Sequence, residues 1–168
     1  AFESFNYPHL VDAGVNIVYH RERMLQPDYT KPMSPHFRLD NNVIIFSLFP
    51  GVREDLIRHI IHTPNLRAIV MRTFGSGNAP QSPWLIQALK EGTRQGKVIV
   101  NISQCMQGTV EMGRYDTGYQ LQEAGVVSGY DSTVESAVTK LMFLQAQYDD
   151  PEQVRHYMNR SIRGEICR

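Results

Sequence analysis

Cys105 and Cys167 are the only cysteines in this chain. Two are too few for a disulfide scaffold and suit a reducing compartment. Long apolar runs are also missing. Stretches such as 43–46 and 141–144 fall far short of the roughly 20 residues that a membrane helix needs. There is no excess of charge of either sign, with 17 Lys and Arg against 17 Asp and Glu. That balance argues against a nucleic-acid partner and against an acidic tail. The opening residues do not carry the pattern of a secretory leader, so cytoplasm is the expected compartment. No Lys-Ser/Thr pair follows the glycines at 75–77, and the spacing of a dinucleotide fingerprint is absent. His59 and His62 are one helical turn apart but have no third ligand in view. Neither a metal nor any other cofactor is expected.

What is present is a globular composition, 42% apolar over 168 residues, enough for one domain with an extension. Residues 1–40 are broken by Pro8, Pro27, Pro32 and Pro35 and read as a linker or crossover segment. Within them, 6–13 suggests a short helix stopped by Gly14. Val15, Ile17 and Tyr19 alternate with polar residues, as in a half-buried strand.

From residue 41 to 168 the pattern is that of a domain. Residues 43–49 form a continuous apolar strand of the kind buried on both faces. Val52, Leu56, Ile57, Ile60 and Ile61 then recur at helical spacing. Strands follow at 68–71, 97–102 and 126–127, separated by helices through Trp84–Leu89 and 116–124. Ser132-x-x-Glu135 has the spacing of a capping box, and Asp150-Pro151 starts a last helix. This alternation predicts an α/β fold. The expected form is a three-layer open sheet of about four mainly parallel strands flanked by helices, flavodoxin- or Rossmann-like.

In such sheets ligands bind beyond the carboxyl ends of the strands. There the second strand ends in Arg72 and Thr73, followed by Gly75-Ser76-Gly77-Asn78. The third ends in Ser103-Gln104-Cys105. Together they offer a guanidinium, an amide, hydroxyls and a thiol. The planar fork of Arg matches a carboxylate, so a small ligand such as an amino acid fits. The plainer alternatives are that Arg72 pairs with a local acid and that Cys105 is a buried apolar residue. Tyr115 and Asp116 sit in the polar loop after the third strand, where an ordinary helix start is the other reading.

Several ordered motifs sharpen this. Arg72-Thr-Phe-Gly-Ser-Gly-Asn-Ala-Pro80, Val100-Asn-Ile-Ser-Gln-Cys105, Gly113-Arg-Tyr-Asp-Thr-Gly118 and Tyr130-Asp-Ser-Thr-Val-Glu135 resemble the carboxyl-terminal half of cytoplasmic (type I) L-asparaginases. Ala1-Phe-Glu-Ser-Phe-Asn6 resembles the segment where that family's amino-terminal domain enters the linker. The resemblance implies a two-domain amidohydrolase that converts L-asparagine to L-aspartate and ammonia. The family's catalytic threonine motifs, Thr-Gly-Gly-Thr and Thr-Asp, belong to an amino-terminal domain, and neither occurs here. The chain alone is therefore expected to be inactive, with no catalytic residue of its own.

The partners implied are L-asparagine, the missing catalytic domain and further subunits of a dimer or tetramer. By the same resemblance, Arg72, Thr73, Asn78, Ser103 and Cys105 are candidates for an allosteric asparagine site. Asn78, Tyr115 and Asp116 are candidates for support of an active site across a subunit contact. A free-standing module that binds a small carboxylate is the alternative.

Overall fold

Ile69 and Val70 lie at the centre of the molecule, in a strand with a neighbour on each side. The computed structural model describes residues 5–113 and 116–167. Four parallel strands form the main sheet, β3 (Val43–Ser47), β4 (Ala68–Thr73), β5 (Val98–Ser103) and β6 (Val127–Ser128), in that spatial order. The connecting helices are α1 (Glu54–Ile61), α2 (Pro83–Arg94) and α3 (Asp116–Glu123), and α4 (Val134–Gln147) and α5 (Pro151–Met158) follow β6.

Strand alternation divides the core into two layers. Ile69, Met71 and Ile99 pack with Ile57, Ile61, Leu85, Leu89 and Leu121 from α1, α2 and α3. Ala68, Val70, Val98, Val100 and Ile102 pack with Ala137, Leu141, Val154 and Met158 from α4 and α5. Each step along the sheet in one direction crosses over with the same hand, which places α1, α2 and α3 on one face. The three-layer α/β architecture expected from the sequence is the one observed.

The structure departs from the sequence reading in three places. Residues 6–13 are not a helix. Val11–Ala13 (β1) and Ile17–Tyr19 (β2) form an antiparallel hairpin, with Val11 opposite Tyr19. Gly14 turns the chain instead of stopping a helix, and its N–H donates to the Asn16 carbonyl. Both strands are exposed along their whole length, not half-buried.

β3 is shorter than expected and is not buried on both faces. It is an edge strand, and Ile45 is 42% exposed. Finally, α4 begins one residue later than the capping-box reading required. Thr133 is the N-cap, and its Oγ1 accepts from the Ser136 N–H at 3.2 Å. Glu135 then lies in the first turn, where its charge complements the helix dipole.

Candidate functional site

β4 and β5 are paired in register, Arg72 opposite Ile102 and Thr73 opposite Ser103. Both strands therefore end at one edge of the sheet, and the loops 74–82 and 104–113 emerge side by side. The backbone of Phe74 and Asn78 closes the first loop, with each N–H donating to the other's carbonyl at 2.8 Å.

Every carbonyl of the tip is held. Gly75 accepts from Ser103 Oγ at 2.6 Å and Gly77 from Asn101 Nδ2 at 3.0 Å. Ser76 accepts from the Glu111 N–H at 3.0 Å. Gly77 has φ of +102°, and a Cβ there would meet Val110 Cγ1 at 2.7 Å. Glycine is required at that position by backbone and by space.

The residues expected to form one site fall on two faces of the sheet. Thr73 and Ser103 share the face of α1 and α2 with Asn101. Thr73 is fully buried, and its hydroxyl donates to Asn101 Oδ1 at 2.6 Å. Ser103 Oγ also accepts from the Cys105 N–H at 3.0 Å. These hydroxyls are thus engaged within the protein. Arg72, by its parity with Ala68 and Val70, lies on the α4 face. No ion pair among the described residues includes Arg72, and its Nε is buried with no partner among them. A buried donor of this kind is costly to leave unmade, and a carboxylate would satisfy it.

Cys105 is exposed, against the buried alternative weighed from sequence. Asn78 is half-buried, and its Oδ1 accepts from Thr117 Oγ1 at 3.1 Å. Asp116 is the first residue of α3 and lines a surface cavity of about 620 Å³ with Gln81, Lys90 and Glu123. It is not beside Arg72 on the α4 face. Tyr115 lies outside the described residues. A cavity of about 890 Å³ runs along β6 and α5, lined by Tyr130 and Arg155 among others, and includes none of the expected site residues.

Three residues that hold the site are not among those the sequence points to. Asn101 joins β4, β5 and the glycine loop. Gln104 Nε2 donates to the carbonyls of Leu48 at 2.6 Å and Arg72 at 3.0 Å, binding the ends of β3 and β4 to the loop after β5. Thr117 holds the Asn78 side chain. Only Asn101 carries a signal, an amide inside an apolar run, which must find partners when buried. Among the described residues no group of three or more His, Cys, Asp or Glu is placed to hold a metal. No described helix is long and apolar enough to cross a membrane.

Comparison with known proteins identifies the family of the chain. The chain is 38% identical to L-asparaginase 1 of Escherichia coli over 173 residues, covering 99% of this chain and 48% of that protein. It is 36% identical to the human 60 kDa lysophospholipase, covering 99% of this chain and 29% of that protein. Among solved structures, L-asparaginase I from Vibrio cholerae superposes with a TM-score of 0.92 at 36% identity, covering 100% of this chain and 50% of that one. The chain thus spans about half or less of the length of these relatives. Residues 42–158 match the family described as the glutaminase/asparaginase C-terminal domain, and the chain belongs to that family.

Proposed function

We propose that this chain is the carboxyl-terminal domain of a cytoplasmic, type I L-asparaginase, an amidohydrolase acting on L-asparagine. The observation that carries the reading is the combination of family and coverage. The domain matches throughout, yet relatives named L-asparaginase are about twice as long.

The exposed surface supports a missing partner. Val15 is 104% exposed, Tyr29 90%, Met33 91% and Phe37 89%. Apolar side chains bared in such number along one segment mark a surface that another body covers. The catalytic domain and further subunits of a homo-oligomer are the partners in this reading.

In this reading amide hydrolysis belongs to the other domain. Nucleophilic attack needs an activated hydroxyl and a positioned oxyanion site, and the motifs that supply them are not in this chain. The present domain contributes binding groups. Asn78, on its fixed loop, reaches an active site across a subunit contact. Arg72 provides the fork for the carboxylate of an effector asparagine, with Cys105 beside the strand ends. Thr73 and Ser103 support both by holding the loop from inside.

The test is direct. Ammonia release from L-asparagine is measured with the 168-residue chain and with the protein extended by the coding sequence upstream of Ala1. Turnover only in the extended protein, with Thr-Gly-Gly-Thr in the added part, is the expected result. Turnover by the chain alone, or binding of small carboxylates by a protein with no such upstream domain, overturns it.

A further inference from the structure

We propose that Thr117 is the positioning residue for Asn78, setting its amide so that the NH₂ group faces an asparagine-class ligand. The inference rests on the reading of Asn78 as a substrate-contacting residue and goes beyond it.

The backbone around Asn78 leaves little freedom. The carbonyls of Gly75, Ser76 and Gly77 are held by Ser103, Glu111 and Asn101, and Asn78 itself is paired with Phe74. What remains free is rotation of the Asn78 side chain. An amide has two ends, an acceptor and a donor, and an unrestrained one presents either. Thr117 Oγ1 donates to Asn78 Oδ1 at 3.1 Å. That engages the acceptor end and leaves Nδ2 with no partner among the described residues, as a donor for a carboxylate or carbonyl oxygen.

Thr117 is itself well placed to act as a fixed point. It is the second residue of α3, and the next residue, Gly118, sits directly on the chain at Met112. A Cβ on Gly118 would lie 2.7 Å from the Met112 carbonyl oxygen. The first turn of α3 is therefore locked against the loop after β5, and the hydroxyl cannot drift from Asn78. The contact spans 39 residues of sequence and joins the loop after β4 to the first turn of α3.

The experiment uses the full-length protein, with its catalytic domain, and reads kcat and KM for L-asparagine together with the thermal midpoint. The variants are T117V, T117S, N78A and T117V/N78A. Valine keeps the shape of threonine and removes the hydrogen bond, and alanine replaces it should the valine variant not fold. T117V is expected to lower kcat/KM by about three- to tenfold, the range for one lost neutral hydrogen bond. T117S restores most of that loss, the midpoint stays near the parent's, and T117V adds nothing in the N78A background. If N78A lowers kcat/KM and T117V does not, or if the two losses multiply, Thr117 does not act through Asn78 and the inference falls. If N78A itself behaves like the parent, the substrate-contact reading of Asn78 fails and the inference falls with it.

Discussion

Asn101 Oδ1 accepts a 2.6 Å hydrogen bond from Thr73 Oγ1, and both side chains are completely buried. Asn101 Nδ2 continues the chain to the Gly77 carbonyl. One amide thus couples two neighbouring strands to the loop they support. Asn101→Ala leaves the Gly77 carbonyl without its donor and Thr73 with only its longer contact to the Ile102 carbonyl at 3.3 Å. Stranded buried polar groups cost about 1–3 kcal/mol each. We expect N101A to destabilise the fold by about 2–4 kcal/mol in urea unfolding, with T73V less than additive beside it. A change under about 0.5 kcal/mol would show that the bridge holds nothing.

The two glycines of the loop separate backbone strain from lack of space. Gly75 has φ of +49° and nothing within 4 Å of a Cβ placed there, whereas at Gly77 a Cβ strikes Val110 and approaches Asn101 Nδ2 at 3.2 Å. Gly75→Ala should cost about 1–2 kcal/mol, the left-handed penalty alone. Gly77→Ala should cost more, about 2–4 kcal/mol, because Val110 or the loop must also move. Equal losses in chemical denaturation would mean that the Val110 contact relaxes freely.

These devices are legible in the sequence to different degrees. The apolar runs dictate a parallel sheet, because strands such as 68–71 cannot be wetted on either side. The split of Arg72 from Thr73 and Ser103 follows from strand alternation, but it is visible only once register shows which strand ends meet. The strand through Ile17 and Tyr19 is legible in their alternation, but its partner at 11–13 and the exposure of both are not, because Leu10 and Val11 carry no inward-facing pattern. The partner of Thr117 lies 39 residues away, and nothing local to either residue announces it.

The carboxyl-terminal tail supplies a pH dependence. Lys140 Nζ lies 2.6 Å from Glu165 Oε1, with side-chain exposures of 5% and 18%. Burial alone would raise the Glu165 pKa, but the Lys140 ammonium and the backbone N–H groups of Arg163 and Ile162 outweigh it and hold the carboxyl below its ordinary value. Burial pushes the Lys140 pKa down, and Glu165 opposes that. A carboxyl with a depressed folded pKa stabilises the protein above its unfolded pKa, about 4.3, and loses that contribution as pH falls through the folded value. Stability should therefore fall more steeply below about pH 5 in the parent than in E165Q. At neutral pH, E165Q should be less stable by about 2–4 kcal/mol, since it leaves a buried ammonium with only the Met158 and Arg160 carbonyls as partners. Parallel stability–pH curves for the two proteins would rule the pair out as an acid-sensitive tie.

Arg72 and Asn78 offer the sharpest functional contrast. Arg72 lies at the end of β4 and Asn78 in the loop that follows, yet alternation along the strand sends Arg72 to the α4 face, while Asn78 is tied to α3 through Thr117 on the opposite face. Two groups on opposite faces suit two ligands better than one. We therefore expect R72A and N78A to act independently in the full-length protein. R72A should flatten the dependence of rate on asparagine at low concentration and spare the rate at saturation. N78A should lower kcat/KM and leave any cooperativity in place. Loss of one charge-assisted contact at Arg72 corresponds to about 1.5–3 kcal/mol, or more than a roughly tenfold weaker effector response. Their effects should add in free energy when combined. Strong non-additivity in steady-state kinetics would place both side chains on a single asparagine. Such a ligand would have to sit over the carboxyl edge of the sheet, where Arg72 and Thr73 are paired with β5 to the end of the strand.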